Sequence, residues 1–198
     1  MCGQYLIAEE DAPDALDQAI STLNRRGVSV KRGEILPTDT APVFANSRSG
    51  HVSPFAMRWG YTLPDGRALI NARSETAARK ALFADGMRFR RCLVPASLYY
   101  EWDAAKRRYA FSRGDLLWMA GIYRPEAGGA AFTILTREAP EGIAAIHTRM
   151  PVLLPDGMRG DWLDWRYKAD ELIRAALTDV SWVKVPGAAE QISFEEFL

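Results

Sequence analysis

Cys2 stands directly behind the initiator methionine, in the segment Met1-Cys2-Gly3-Gln4-Tyr5. Loss of Met1, the usual fate of an initiator methionine before a small residue, leaves one residue carrying both a free α-amine and a thiol. Such a 1,2-aminothiol attacks an aldehyde twice. The amine forms an imine, and the sulfur then closes a five-membered thiazolidine ring. An α-amine titrates near pH ~7.7–8.0, well below lysine, so part of it is a free nucleophile at neutral pH. In an arbitrary protein a cysteine at position two carries no such meaning. The aminothiol gains chemistry only in the company of a proton-handling group, a group that orients the carbonyl, and a cationic surface for the substrate.

Three segments offer that company. In Ile70-Asn71-Ala72-Arg73-Ser74-Glu75-Thr76, Asn71 can orient a reacting group through a neutral amide, and the Arg73 fork can hold a phosphate. The same residues also fit a cap and turn, with Arg73 paired to a carboxylate. In Tyr99-Tyr100-Glu101-Trp102, a carboxylate sits within an aromatic run, where burial would raise its pKa and suit it to acid–base work near neutrality. Tyr99, Glu101 and Asp103 share one face of an alternating strand, so an outward-facing Glu101 is the alternative. In Ile146-His147-Thr148-Arg149-Met150-Pro151, His147 is a natural proton shuttle, although a lone histidine is more often structural. Trp59, next to Gly60 and the basic middle of the chain, would suit stacking on an unpaired base if exposed; Trp102 and Trp118 read as core.

The elements that must position these residues read as follows. Cys2–Ala8 is a short buried strand. Pro13–Arg26 is a helix with Leu16, Ile20 and Leu23 on one face and Gly27 as its stop. Ala41–Ala45 and Ser53–Gly60 are strands joined by a turn at Asn46–Gly50. A strand end at Ala68–Ala72 leads to Ser74, which caps a helix over Glu75–Ala84 that Gly86 terminates. Cys92–Trp102 is a single strand, Lys106-Arg107-Arg108 a turn, and Tyr109–Ser112, Leu116–Tyr123, Ala130–Thr136 and Val152–Leu154 are further strands. Ala139–Ala145 is a loop or short helix, Ala169–Leu177 a helix, and the tail to Leu198 is ambiguous. Many closely spaced strands with a few helices give one α+β domain over residues 1–198, a curled or barrel-like, mainly antiparallel sheet flanked by helices.

Composition narrows the classes. With 198 residues, 48% hydrophobic and 25% charged, the chain is an ordinary globular protein. No apolar run approaches a membrane span and no signal peptide is evident, so a cytoplasmic location is expected. Two cysteines, Cys2 and Cys92, argue against a disulfide scaffold, and two histidines without ligand spacing argue against a metal site. Net charge is zero, but residues 51–113 hold 12 Lys/Arg against 5 Asp/Glu, and residues 126–198 hold 7 against 12. That asymmetry suggests one face for a polyanion.

Six segments together resemble the SOS response-associated peptidase (SRAP) family of abasic-site processing proteins: Met1-Cys2-Gly3, Met57-Arg58-Trp59-Gly60, Asn71-Ala72-Arg73-Ser74-Glu75-Thr76, Arg91-Cys92-Leu93-Val94-Pro95, Tyr100-Glu101-Trp102 and His147-Thr148-Arg149-Met150-Pro151-Val152. They run in family order from residue 1 to about 155. The resemblance implies that Met1 is removed and that Cys2 crosslinks to the ring-opened aldehyde of an abasic site in single-stranded DNA as a thiazolidine. It further implies that Asn71 positions the Cys2 amine and the sugar, that Glu101 moves protons, and that His147 assists at the sugar oxygen. Arg73 and Arg149 would bind flanking phosphates, Trp59 would stack near the lesion, and Gly3, Pro37 and Thr136 would complete the DNA contacts. The protein would act as a monomer on DNA, at the nucleoid, with no cofactor, metal or membrane. Glu101 and His147 would also serve an autoproteolytic release of the N-terminal residue.

The chain departs from the family pattern at Gln4, where arginine is usual, and at Glu34, where asparagine is typical. It departs again at Ser97-Leu98 and at the loop Tyr61-Thr62-Leu63-Pro64-Asp65-Gly66. Two other functional classes fit the same residues: an N-terminal-cysteine peptidase acting in trans, and a non-catalytic single-strand binding module.

Overall fold

The computed structural model describes residues 2–8 and 14–186; the expected helix start at Pro13 and the ambiguous tail from residue 187 lie outside the described residues. The strands, in chain order, are β1 (Gln4–Ile7), β2 (Gly33–Ile35), β3 (Thr40–Asn46), β4 (Val52–Trp59), β5 (Tyr61–Thr62), β6 (Ala68–Leu69), β7 (Asn71–Arg73), β8 (Arg91–Ala96), β9 (Leu98–Trp102), β10 (Arg108–Ser112), β11 (Leu117–Glu126), β12 (Gly129–Glu138), β13 (Arg149–Pro151) and β14 (Ser181–Lys184). The helices are α1 (Asp14–Arg25), α2 (Ser74–Ala77), α3 (Ala81–Phe89), α4 (Glu141–Ala144), α5 (Arg159–Leu163) and α6 (Ala169–Arg174). None is long and apolar enough to cross a membrane, among the described residues.

Five strands close a barrel in the order β11–β8–β3–β4–β12, with β12 pairing back onto β11. β8 explains why closure is favourable. All six of its residues are buried: Cys92, Val94 and Ala96 join the main core, while Leu93 joins a second core under α3, α5 and α6. A strand covered on both faces has no polar alternation, which is why this segment reads as one continuous apolar run. Gly121 stands opposite Cys92 in the ladder, and a Cβ there would meet the Cys92 Sγ at 2.8 Å. The glycine is what lets the two strands carry a sulfur between them.

A second, wholly antiparallel sheet of order β14–β10–β9–β1–β2 packs Tyr5, Ile7, Ile35, Tyr99 and Phe111 into the main core. The apolar face of α1, with Leu16, Ile20 and Leu23, closes over the same core. The expected α+β architecture is the observed one. Several elements differ in detail. The Cys92–Trp102 run is two strands rather than one. Ala96 pairs with Leu117 in the barrel, Leu98 pairs with Leu6 in the second sheet, and the chain changes sheets at Ser97. Ser97 is fixed there by its amide donating to the Leu6 carbonyl (2.8 Å) and its hydroxyl accepting from the Ala8 amide (2.9 Å).

The expected helix over Glu75–Ala84 is likewise two helices. Lys80 is extended (ψ 124°), and the break allows both Ala77 and Phe83 to enter the second core. In one continuous helix those residues would lie about 120° apart around the axis, too far for one narrow stripe to bury both. Gly86 does not stop α3. It lies within it, where a Cβ would meet the Ile122 Cβ at 3.0 Å. Arg108, expected in a turn, is the first residue of β10, and the strand expected at Val152–Leu154 is the earlier β13, with Leu153 in an isolated bridge.

One detour matters for the site. β4 runs parallel to β12 as far as Trp59, which lies opposite Phe132. At Gly60, whose φ of 106° favours glycine, the chain leaves and makes the β5–β6 hairpin. It returns beside β12 as β7, with Asn71 opposite Ile134 and Arg73 opposite Thr136.

Candidate active site

Strand β1 brings the N-terminal segment into the middle of the second sheet, β9 brings Glu101 from next door, and the return at β7 brings Asn71 across from the barrel. The Asn71 Nδ2 donates to the Cys2 carbonyl oxygen at 2.7 Å. Its Oδ1 is buried and has no hydrogen-bond partner among the described residues. That amide pins the backbone of Cys2 while keeping one acceptor in reserve. The Cys2 side chain is fully buried, and its S–H donates to the Gln4 carbonyl at 3.8 Å.

Burial pushes the Cys2 thiol pKa up, and the nearby Glu101 charge pushes it further. The thiol is therefore neutral at physiological pH. Glu101 is 2% exposed, facing inward between Tyr99 and the neighbouring strands, which decides against the outward-facing alternative. Burial raises its pKa from 4.5 to about 7. It can therefore give or take a proton at neutrality, as a carboxyl must to serve as acid in one step and base in the next.

His147 lies 3.8 Å from Glu101, measured from Nδ1 to Oε1. Its Nδ1 is within hydrogen-bond reach of the Arg149 amide nitrogen (3.1 Å) and the Arg149 carbonyl (3.0 Å). Burial lowers its pKa, which favours the neutral ring at pH 7. The turn after α4, held by the His147 amide donating to the Ile143 carbonyl at 3.1 Å, delivers the imidazole to this spot. Cys2, Asn71, Glu101 and His147 thus converge from four separate segments.

The cationic residues behave differently from one another. Arg149 is held in place by a bidentate pair with Glu75 (2.7 and 2.9 Å) and by donation to the Thr136 carbonyl (2.7 Å). Arg73 is exposed at the end of β7. Both arginines line a cleft of about 340 Å³ with Glu138, Ala139, Ala144 and Thr148, beside His147. Thr136 is buried, and in this structure it positions Arg149. Gly3 is half-buried between Cys2 and Gln4, and Pro37 is half-buried in the turn between β2 and β3, which the Thr38 amide ties to the Trp59 carbonyl at 2.9 Å.

Trp59 corrects an expectation. It is fully buried, its ring parallel to Phe132 (6.4 Å) and edge-on to Tyr5 (5.1 Å), with Nε1–H donating to the Ile70 carbonyl at 3.0 Å. It has no face open to a base; it is a core residue that anchors the detour leading to Asn71. Conversely, Trp102 and Trp118, read as core, are only half-buried.

Three further residues contribute to the site. Glu75 sits two residues beyond Arg73, and nothing in that spacing indicates that it pairs with Arg149 from a distant strand. Tyr99 and Tyr5 wall the Cys2 site with buried hydroxyls that have no partner among the described residues. Tyr99 lies two residues from Glu101 on β9, so alternation puts both on one face; no such spacing links Tyr5 to Cys2. Among the described residues no group of three or more His, Cys, Asp or Glu is placed to hold a metal ion.

The family model described as SOS response associated peptidase (SRAP) matches residues 1–190. The chain is 27% identical over 196 residues to the abasic site processing protein YoaM of Bacillus subtilis, covering 89% of this chain and 85% of that protein. It is 33% identical over 125 residues to YobE of the same organism, also named an abasic site processing protein, where the match spans 54% of this chain and 57% of the relative. With the Gallus gallus protein HMCES, likewise so named, the identity is 31% over 141 residues, and the match spans 42% of that protein. Among solved structures, a phage-related protein of Bordetella bronchiseptica superposes with a TM-score of 0.73 at 27% identity, covering 94% of this chain and 95% of that one. A Bacteroides thetaiotaomicron protein reaches 0.72 at 19% identity, covering 94% of this chain and 93% of its own, and shares the fold. The chain belongs to the SRAP family.

Proposed function

We propose that this protein processes abasic sites in single-stranded DNA by forming a covalent thiazolidine between Cys2 and the ring-opened sugar aldehyde, after Met1 has been removed. The observation that carries the reading is the convergence on the second residue of the chain. Asn71 bonds the Cys2 carbonyl at 2.7 Å, and Glu101, with a pKa of about 7, lies close enough to raise that of the thiol. A buried thiol pressed against a carboxylate is a poor free nucleophile, so the amine acts first.

The Cys2 α-amine adds to the aldehyde carbon. Protonated Glu101 gives its proton to the resulting hydroxyl, which leaves as water, and an imine forms. The sulfur then adds to the imine carbon, its proton passes to the nitrogen through the Glu101 carboxylate, and the ring closes. Aldehyde and aminothiol become thiazolidine and one water. Neutral His147, 3.8 Å from Glu101, serves the sugar oxygen during ring opening. Arg73 and Arg149, at the cleft beside His147, hold the flanking phosphates. The family is also described as a peptidase, and on this reading that activity would release the residue before Cys2, with Glu101 and His147 as its acid–base groups.

The test is a denaturing gel of the purified protein incubated with a single-stranded oligonucleotide bearing one abasic site. A heat-stable shifted band is expected from the wild type. It should be absent from Cys2→Ser and from a variant whose N-terminus is extended beyond Met1. No band with wild type, or a band that survives in Cys2→Ser, contradicts the proposal. Cleavage of peptides in trans with no DNA adduct would favour the peptidase reading instead.

A further inference from the structure

The outer face of the second sheet, turned away from the core, carries a feature that the chemistry above leaves unused. Alternation along β1, β9 and β10 puts Gln4, Tyr100, Trp102 and Arg108 on this face, with Gln4 opposite Tyr100 and Arg108 opposite Trp102. Glu34 of β2 shares it, opposite Leu6. Arg108 does not project into solvent. Its guanidinium lies 3.5 Å from the Tyr100 ring centroid and 5.8 Å from that of Trp102, and its Nη2 donates to the Glu34 Oε1 at 2.5 Å. The side chain therefore runs diagonally from β10, across β9 and β1, to β2. Tyr100 and Gln4 are both 8% exposed beneath or beside it. Its Nε is buried with no hydrogen-bond partner among the described residues.

We infer that Arg108 is a phosphate ligand held in reserve: in the free protein it straps the sheet face to Glu34, and on single-stranded DNA it exchanges that carboxylate for a backbone phosphate near Cys2. The inference rests on the reading of this chain as a single-strand DNA binder. Three observations carry it. Glu34 is half exposed, so its ion pair is screened by water and salt and is readily exchanged. A phosphate matches the same planar fork, and offers an acceptor for the idle Nε as well. Gln4, the first residue of β1, is two residues on from Cys2, at most ~7 Å along the chain, so a cation over this face stands within about one or two nucleotides of a lesion bound at Cys2. Exchange also uncovers Tyr100, whose ring then presents a stacking surface to the adjacent base. Position 4 of this chain is a neutral glutamine, and Arg108 sets a cation over Tyr100, the residue opposite it.

The test is non-covalent binding of the full-length protein to a fluorescent single-stranded oligonucleotide without an abasic site, by anisotropy across a salt series. The wild type is compared with Arg108→Met, Glu34→Gln and the double variant; melting curves check that each is folded. Loss of one phosphate contact should reduce the slope of log affinity against log salt by about 0.7 in Arg108→Met. Between about 50 and 200 mM salt its affinity should then fall about 2.6-fold less than that of the wild type. Glu34→Gln should bind severalfold more tightly, and that gain should vanish when Arg108 is also replaced. An unchanged slope in Arg108→Met overturns the inference, as does a Glu34→Gln gain that persists in the double variant, since that would be simple removal of a repelling charge. If the wild type crosslinks an abasic site while these slopes do not differ, only this inference fails. If it neither binds nor crosslinks DNA, the functional reading falls with it.

Discussion

The two cysteines sit in two regions with equal burial and opposite surroundings. Both side chains are fully inaccessible, and burial raises both thiol pKa values. Around Cys92, in the closed barrel, burial is the sole cause, and the sulfur fills space left by Gly121. Around Cys2, which leads into β1 of the second sheet, a carboxylate adds to the shift, an asparagine holds the backbone, and an imidazole stands behind the carboxylate. Burial makes a cysteine inert; chemistry needs titratable neighbours and a reacting atom that the thiol alone does not supply. In the proposed reaction that atom is the Cys2 α-amine freed by loss of Met1, which Cys92, being internal, cannot have.

The comparison breaks most sharply by substitution of each cysteine. Cys2→Ser should abolish the DNA adduct, whereas Cys92→Ala should leave adduct formation intact and lower only the melting temperature; a gel and a melt measure both. Next in size is the buried carboxyl. The pKa of Glu101 is raised from 4.5 to about 7 in the folded protein, so the fold binds its proton more tightly than the unfolded chain does. The stability this confers is fully present below pH 4.5 and is lost as pH rises to about 7. Glu101→Gln escapes that loss. Relative to wild type it should be more stable by on the order of 3 kcal/mol above pH ~7, and no more stable near pH ~4, while its crosslinking rate falls. Denaturant melts across that pH range test the sign.

In the barrel, Gly121→Ala places a Cβ 2.8 Å from the Cys92 Sγ and 3.3 Å from the Thr133 carbonyl oxygen. It should destabilise by ~1–3 kcal/mol. Cys92→Ala in the same chain should relieve part of that, so a double-mutant cycle should give a favourable coupling. The smallest effect is expected at Glu75→Gln, which breaks the pair with Arg149. Glu75 is 44% exposed, so water screens the pair, and the stability change, read from denaturant melts, should be ~0.2–1 kcal/mol.

The α1 face of Leu16, Ile20 and Leu23, the strand series and the α+β class were legible because periodicity records burial directly. The continuous apolar run at Cys92–Trp102 concealed a change of sheet at Ser97, since a strand buried on both faces looks the same on either side of such a crossing. Trp59 read as a stacking residue because its arginine neighbours are polar, yet an indole in a half-polar strand can still face inward. Gly86 looked like a stop because the sequence does not reveal Ile122 packed against it. The four chemical residues were each visible as types. Their meeting followed only from the family resemblance and not from spacing: Asn71 reaches Cys2 because the chain leaves β4 at Gly60 and returns beside β12, and no spacing rule encodes that detour.

The central claim is that the N-terminal aminothiol, and not the thiol alone, is the reacting group. Intact mass spectrometry of wild-type protein after incubation with an abasic oligonucleotide, followed by fragmentation, tests it most directly. The expected species lacks Met1, has the mass of the protein plus the oligonucleotide less one water, and carries the DNA remnant on Cys2. An adduct that retains Met1, or one that fragments to a lysine, would contradict it.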